Sequence, residues 1–111
     1  MMKTYKEFHG ETPISDIGKV LRQIASKEKS AFKILTGYGS TQGVSQSKSA
    51  ALKSLRNMKK SGLIKGYLPG EVKHMLLDNT SPYYETKVNY EQILKSDADF
   101  GNDGIIFVFI K

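Results

Sequence analysis

The sequence predicts an α/β fold: a two-layer sandwich in which about four strands form a mixed sheet and two main helices pack against it. Three observations lead to this prediction. Strand-like and helix-like segments alternate through the first half of the chain. The stretch Ile105–Ile110 is apolar at every position, which is typical of a strand covered on both faces. The length of 111 residues suits one hydrophobic core, so we predict one domain over residues 1–111.

The first predicted unit is a strand followed by an amphipathic helix. Residues Met2–Phe8 favour a strand that stops at His9–Gly10. Thr12 is a candidate helix cap, and Pro13 fits the first helical position because its missing N–H needs no partner there. Apolar residues then recur at helical spacing and predict a face that packs on the sheet. These residues are Ile14, Ile17, Val20, Leu21 and Ile24.

The second predicted unit is a strand, a glycine-rich loop and a longer helix. The strand covers Ala31–Leu35, the loop Thr36–Gly43 and the helix about Ser45–Ser61, with Gly62 as a left-handed stop. The apolar stripe of this helix consists of Ala51, Leu52, Leu55 and Met58. Its basic face consists of Lys53, Arg56 and Lys60, which follow each other at i, i+3 and i+7.

The remaining elements are shorter. A weaker strand is predicted at Leu63–Leu68, and short helical segments at Glu71–Leu77 and Val88–Lys95. Successive strand–helix–strand units favour parallel neighbours, and the ligands of such sheets bind beyond the carboxyl ends of the strands. We therefore expect His9–Gly10 and Thr36–Gly43 to meet at one end of the sheet.

Composition excludes several kinds of site. The chain has no cysteine, so disulfides, thiolate metal sites and thiol nucleophiles are excluded. No apolar run approaches the roughly 18–20 residues of a membrane span, and the first residues lack the apolar stretch of a signal peptide. These features predict a cytoplasmic protein with no membrane partner.

The charge is unevenly spread. The net charge is +6, and residues 1–66 hold 13 lysines and arginines against 4 acidic residues, whereas residues 67–111 hold 4 against 7. A basic half is typical of proteins that bind a polyanion such as nucleic acid. A solvated surface rich in lysine has the same composition, so charge alone leaves both interpretations open.

The glycine-rich loop is the first candidate site. Gly37, Gly39 and Gly43 precede a helix, where glycines let backbone N–H groups approach a phosphate and the helix dipole favours the anion. The alternative is a tight turn that needs glycine only for its shape. Non-specific attraction to phosphates is predicted from one lysine near the start of the helix and from its basic face: Lys48, Lys53, Arg56 and Lys60.

The second candidate site is the pair Glu7 and His9. Side chains alternate along a strand, so both residues should share one face. A carboxylate can fix the tautomer of a nearby imidazole and raise its proton affinity, which suits acid–base cleavage of a phosphodiester. The alternative, favoured for a lone histidine, is a structural residue at the end of a strand.

The third candidate is the polar stretch before the last strand. Asp97, Asp99, Asn102 and Asp103 supply the clustered oxygens that hard cations such as Mg²⁺ prefer. Turn and capping chemistry explains Asn102–Gly104 more simply, and we favour it.

These motifs together resemble the Small MutS-Related (Smr) domain family, in its small stand-alone bacterial form. The family opens with Leu-Asp-Leu-His-Gly before an amphipathic helix, and here Lys6–Gly10 precede Thr12–Ile14. Its second motif, His/Thr-Gly-x-Gly, is matched at the start of Thr36–Gly43. The segments Tyr67–Glu71 and Asn102–Val108 also look like those of family members, so the resemblance covers nearly the whole chain.

The resemblance implies a fold similar to the C-terminal domain of translation initiation factor three and nuclease activity on DNA or RNA. From the expected meeting of His9 and the glycine loop at one end of the sheet, we predict that His9 and Glu7 are catalytic, with His9 as the acid or base and Glu7 orienting it. The predicted phosphate-binding set is Thr36, Gly37, Tyr38, Gly39, Gly43 and Lys48, and the predicted nucleic-acid contacts are Lys53, Arg56 and Lys60. Two residues depart from the family pattern: Glu7 stands where the family usually has Asp, and Thr36 where many members have His.

Two classes of function remain open from the sequence. The one we favour from the sequence is an endonuclease that nicks DNA or cleaves RNA, and the alternative is a non-catalytic nucleic-acid or ribosome-associated binding module. A small-anion binder with a merely solvated basic half is the third alternative. The sequence leaves the metal open, with Mg²⁺ and Mn²⁺ as the candidate cofactors, and it does not choose DNA over RNA.

Overall fold

The chain folds around one four-stranded mixed sheet. A computed structural model describes residues 2–9, 11–36 and 46–111. The strands are β1 (Lys3–Tyr5), β2 (Ala31–Leu35), β3 (Gly66–Pro69) and β4 (Ile105–Phe109), in the spatial order β1-β2-β4-β3. β1 is parallel to β2, as predicted, and β4 is antiparallel to both β2 and β3.

Two long helices cover one face of this sheet. They are α1 (Ile17–Lys27) and α2 (Gln46–Lys60), and their apolar sides bury residues such as Leu21 and Leu55 against the sheet. The fold is therefore the predicted two-layer α/β sandwich. The opposite face carries a second apolar cluster, which includes Leu94 of the short helix α4 (Glu91–Lys95). Among the described helices, none combines the length and apolar character needed to cross a lipid bilayer.

The last strand is interior, as its composition predicts. All five residues of β4 are buried, and alternate side chains enter the two core clusters. Ile106 and Val108 pack towards α1 and α2, whereas Ile105, Phe107 and Phe109 pack on the opposite side. A strand with two covered faces needs no polar position, which explains its uninterrupted apolar sequence.

The first strand is shorter than predicted. It ends at Tyr5, and residues 7–9 form a turn in which the His9 N–H donates to the Lys6 carbonyl oxygen at 3.1 Å. Thr12 does not cap a helix: its N–H and its hydroxyl both donate to the Glu7 carbonyl oxygen, each at 2.9 Å. These local bonds close the turn and end the strand before Phe8, because Thr side chains compete for backbone partners.

The end of α2 agrees with prediction. Gly62 has a φ of +85°, and the Leu63 N–H donates to the Met58 carbonyl oxygen at 2.9 Å. Leu63 is therefore part of the hydrogen-bonded end of the helix, and β3 begins at Gly66 rather than at the predicted Leu63.

The predicted helix at Val88–Lys95 is two short helices. They are α3 (Tyr84–Asn89) and α4, separated at Tyr90, whose φ of −116° and ψ of 22° leave the helical region. The Tyr90 ring stacks on Phe109 with centroids 3.9 Å apart, a tertiary contact that no local pattern shows. The predicted segment after Glu71 is a 3₁₀ turn over Gly70–His74.

The strand directions place several chain segments together. Because β1, β2 and β3 all run one way and β4 runs the other, the residues after the first three strands lie beside those before β4. We call this region the carboxyl end of the sheet. It includes Glu7–His9, Thr36, Glu71 and Asn102–Gly104.

Candidate nucleic-acid interface

Thr36 fastens the end of β2 to the start of β4. Its N–H donates to the Gly104 carbonyl oxygen at 2.8 Å, and its hydroxyl donates to the same oxygen at 3.3 Å. The residue is fully buried. Thr36 thus fixes the point at which the chain leaves the sheet, and its predicted phosphate contact stays a prediction.

Lys48 joins α2 to the same end of the sheet. It lies in the first turn of α2 and is 6% exposed. Its Nζ is 2.8 Å and 2.7 Å from the two carboxylate oxygens of Glu71 and 2.9 Å from the Asp103 carbonyl oxygen. The structure therefore places this candidate phosphate ligand in an internal ion pair in which the lysine is buried, and the pair brings the N-terminus of α2 to the carboxyl end.

Glu71 is a site residue that sequence reasoning missed. Its carboxylate is 38% exposed, so it presents a negative charge at the surface beside Lys48. The signal was available, since Glu71 closely follows a third strand that runs parallel to β1 and β2.

The backbones of the segments after β3 and before β4 touch at Gly70. A methyl group added to Gly70 would lie 2.2 Å from the Asn102 carbonyl oxygen. The Gly101 N–H also donates to the Gly70 carbonyl oxygen at 3.0 Å, and the Asn102 side chain accepts from the Gly104 N–H at 2.9 Å. The favoured turn role of Asn102–Gly104 is what the structure shows.

In the sequence, the predicted glycine-rich loop begins at Thr36, which is bonded to Gly104, and is followed by α2, which begins at Gln46. Gly37, Tyr38, Gly39 and Gly43 fall outside the described residues, so their phosphate contacts stay predictions.

Glu7 and His9 lie at the carboxyl end, but in a turn. His9 is exposed and Glu7 is half-buried. Within the described chain, no hydrogen bond or ion pair joins the Glu7 carboxylate to the His9 imidazole. The strand alternation that predicted a shared face is therefore wrong for this pair, since the strand ends at Tyr5. Their catalytic roles stay predictions.

The basic face of α2 is exposed, as its spacing predicts. Lys53, Arg56 and Lys60 are open to solvent, while Ala51, Leu55 and Met58 on the opposite side are buried. The helix packs beside β3. Burial raises the pKa of Tyr67 in that strand, and the positive charge of Arg56 acts in the opposite direction. The face is therefore available to a partner.

Lys33 pairs with two of the acidic residues before β4. The Nζ of Lys33 lies 3.1 Å from Asp97 Oδ1 and 2.7 Å from Asp99 Oδ2. Burial acts to lower the pKa of Lys33, but the hydrogen bonds and charges of Asp99 and Asp97 outweigh it, so its pKa is raised. In residues 2–9, 11–36 and 46–111, no group of three or more histidines and acids is arranged to hold a metal ion.

Comparisons of the chain with protein-family models, curated proteins and solved structures found no match. The resemblance to the Smr family therefore rests on the sequence motifs, and the similarity to the C-terminal domain of translation initiation factor three stays an expectation.

Proposed function

We propose that this chain binds the phosphate backbone of nucleic acid along the basic face of α2 and at the carboxyl end of the sheet. One observation carries the proposal: the exposed Lys53, Arg56 and Lys60 lie on the helix whose first turn is anchored at that end. Seven residues of helix span about 10 Å, which matches the rise of about three base pairs. Three cations over that length suit successive phosphates.

The charge distribution supports the same partner. The basic half of the sequence, residues 1–66, contains both long helices and the segment between them. Its excess of 13 basic over 4 acidic residues would attract a polyanion over distances of a Debye length. The positive end of the α2 dipole adds to this attraction at the carboxyl end.

Between the two functions left open by the sequence, the described contacts favour binding without cleavage. In the described chain, the Glu7 carboxylate has no hydrogen bond to His9. An endonuclease of the Smr type would use His9 as its acid or base, and this remains the second candidate because His9 is exposed at the same end of the sheet. We also propose that the protein is cytoplasmic and that the chain is a member of the Smr family.

The test compares two triple variants with equal loss of charge. Lys53, Arg56 and Lys60 are replaced by alanine in one variant, and Lys19, Arg22 and Lys29, all exposed on or after α1, in the other. Affinity for labelled duplex DNA and structured RNA is measured over a range of salt concentrations. Removing one cation that binds a phosphate should reduce the salt slope by about one unit, so the slope of the α2 variant should be smaller by about three.

The control decides what the reduced slope means. We expect the α1 variant to change the salt slope by much less than the α2 variant. Equal reductions would show that only net charge matters, and an unchanged slope in the α2 variant would show that its basic face is merely solvated. Either result overturns the proposal.

A further inference from the structure

A second surface lies away from the basic face of α2. The segment after the 3₁₀ turn, together with α3 and α4, encloses a groove of 490 Å³. Its base includes Leu94 and Phe100, which belong to the core cluster opposite α1 and α2. The groove is thus on the other side of the sheet from the proposed nucleic-acid surface.

The walls of the groove expose large apolar side chains. Leu76 is fully exposed at 104%, Val88 is 54% exposed, and two further apolar residues line the same groove: Met75 and Tyr84, at 47% and 38%. A single exposed leucine is ordinary on a protein surface, but four large apolar residues around one groove mark an interaction site.

The groove is held in shape by a lysine. The Nζ of Lys87 donates to the carbonyl oxygens of Val72 at 2.8 Å and Met75 at 3.2 Å. The Met75 N–H also donates to the Val72 carbonyl oxygen at 3.1 Å. These bonds fix the segment that carries Leu76, so a partner need not order it on binding.

The charges around the groove are mainly positive. Lys73, Lys87 and Lys95 line it, and the acidic residue among them, Glu91, pairs with Lys95 at 3.0 Å. We propose that the groove docks an apolar segment of a partner protein flanked by acidic residues, in the manner of an amphipathic helix laid into a groove. Its apolar side chains cover Leu76 and Val88, and its acids face the lysines.

Charge also argues against the other occupants. A second copy of this chain would bring two grooves of like net charge together, since three lysines outnumber one glutamate in each, and this is repulsive. Nucleic-acid phosphates would meet the lysines but would leave Leu76 and Val88 in water.

Two pools of labelled helical peptides test the proposal. Both carry leucine or phenylalanine at i and i+4, and they differ only in the remaining positions, which are glutamate in one pool and lysine in the other. We expect the acidic pool to bind the full chain and the basic pool not to bind. Leu76→Asp should weaken binding of the acidic pool about tenfold or more, since a leucine side chain is no longer buried.

Val88→Asp is a second variant in the same groove, and Leu63→Asp is the matched control, since Leu63 is 51% exposed outside it. Leu76 is fully exposed, so its variant should keep the melting temperature of the parent. The proposal is overturned if no acidic peptide binds, or if Leu63→Asp weakens binding as much as Leu76→Asp. Three further assays test the other occupants: sedimentation for self-association, binding to anionic phospholipid vesicles, and binding to nucleic acid. The proposal is also overturned if Leu76→Asp abolishes any of these while leaving the affinity for the acidic peptides unchanged.

Discussion

Lys48 and Glu71 form a two-oxygen ion pair, with the Lys48 Nζ 2.8 Å from Oε1 and 2.7 Å from Oε2. The pair connects the first turn of α2 to the segment after β3, across 23 residues of sequence. The two partners are unequally exposed, since 8% of the Lys48 side chain and 38% of the Glu71 side chain reach solvent. An incoming phosphate would have to compete with Glu71 for this lysine.

The unequal exposure predicts unequal effects on stability. Glu71→Leu leaves a buried ammonium without its carboxylate and should lower the free energy of unfolding by about 2–4 kcal/mol. Lys48→Met leaves a carboxylate that water can reach, so its effect should be about 1–2 kcal/mol. Urea denaturation followed by circular dichroism measures both. A larger effect for Lys48→Met than for Glu71→Leu would contradict this view of the pair.

The same Lys48→Met variant tests the phosphate contact predicted from sequence. If the lysine serves only the internal pair, the salt slope of nucleic-acid binding should be unchanged. A fall of about one unit would instead show that Lys48 turns from Glu71 to a phosphate when nucleic acid binds.

The close backbone contact at Gly70 predicts that any side chain added there destabilises the fold. Gly70→Ala would force a methyl group to 2.2 Å from the Asn102 carbonyl oxygen, and should lower the free energy of unfolding by at least about 2 kcal/mol. Gly62→Ala is the control, because it meets no atom within 4 Å and is strained only by its φ of +85°, an effect of about 1 kcal/mol. Equal effects in thermal or urea unfolding would show that the backbones at Gly70 are not in close contact.

Alkaline pH should destabilise the fold. Burial, with the hydrogen bond to Glu28 and the charges of Glu28 and Glu7, raises the pKa of Tyr5 from 10.0 to about 12. Burial, with the charges of Tyr67 and Glu71, likewise raises the pKa of Tyr83 to about 12. The unfolded chain ionises first, so this stabilisation is complete below pH 10 and is lost as the pH rises from about 10 to about 12.

Two variants measure this dependence. Tyr5→Phe should reduce the loss of unfolding free energy between about pH 10 and pH 12 by about 2 kcal/mol, and adding Tyr83→Phe should reduce it further. Part of the loss should remain, because the raised pKa of Lys33 gives it the same sign of pH dependence. A pH profile unaffected by either substitution would contradict the assignment.

A cleavage assay of the His9→Ala variant distinguishes the two candidate functions. Supercoiled plasmid and structured RNA are incubated with the protein and Mg²⁺, Mn²⁺ or EDTA. If the chain is a nuclease, His9→Ala should reduce cleavage by about 10²–10⁴-fold without changing the melting temperature, because His9 is exposed. Glu7→Gln should have the smaller effect.

His74→Ala, at the other histidine of the chain, is the control and should cleave as fast as the parent. A well-folded His9→Ala protein with full activity would exclude His9 as the acid or base. If the parent protein cleaves neither substrate under any of these conditions, the nuclease is excluded and the binding module is the candidate function that remains.

The parts of the fold that were predictable are those set by local composition. The uninterrupted apolar run at β4 predicted a buried interior strand, and Gly62 predicted the end of α2 within about two residues. The exposed basic face of α2 followed from spacing alone, because a helix separates its faces by period.

The parts that were missed depend on contacts distant in sequence. Lys33 pairs with Asp97 and Asp99, which lie 64 and 66 residues away, so the acidic stretch could be interpreted only as a turn or a cation site. The break between α3 and α4 occurs where Tyr90 stacks on Phe109. The turn at residues 7–9 depends on Thr12 bonding back to Glu7, a competition that propensities do not resolve.

The position of β4 also has a consequence for how the chain is made. β4 joins β2 to β3, yet it is the last of the four strands to leave the ribosome. In the finished sheet, β2 and β3 lie two strand spacings apart, or about 10 Å, so each hydrogen-bonds to β4 rather than to the other. Until β4 is made, the nascent chain therefore holds apolar strands with open edges, and chaperones protect such segments from aggregation. Completion of the sheet therefore waits for β4, and a stop codon before Ile105 would leave the β1–β2 pair and a single strand, β3, with no strand beside it.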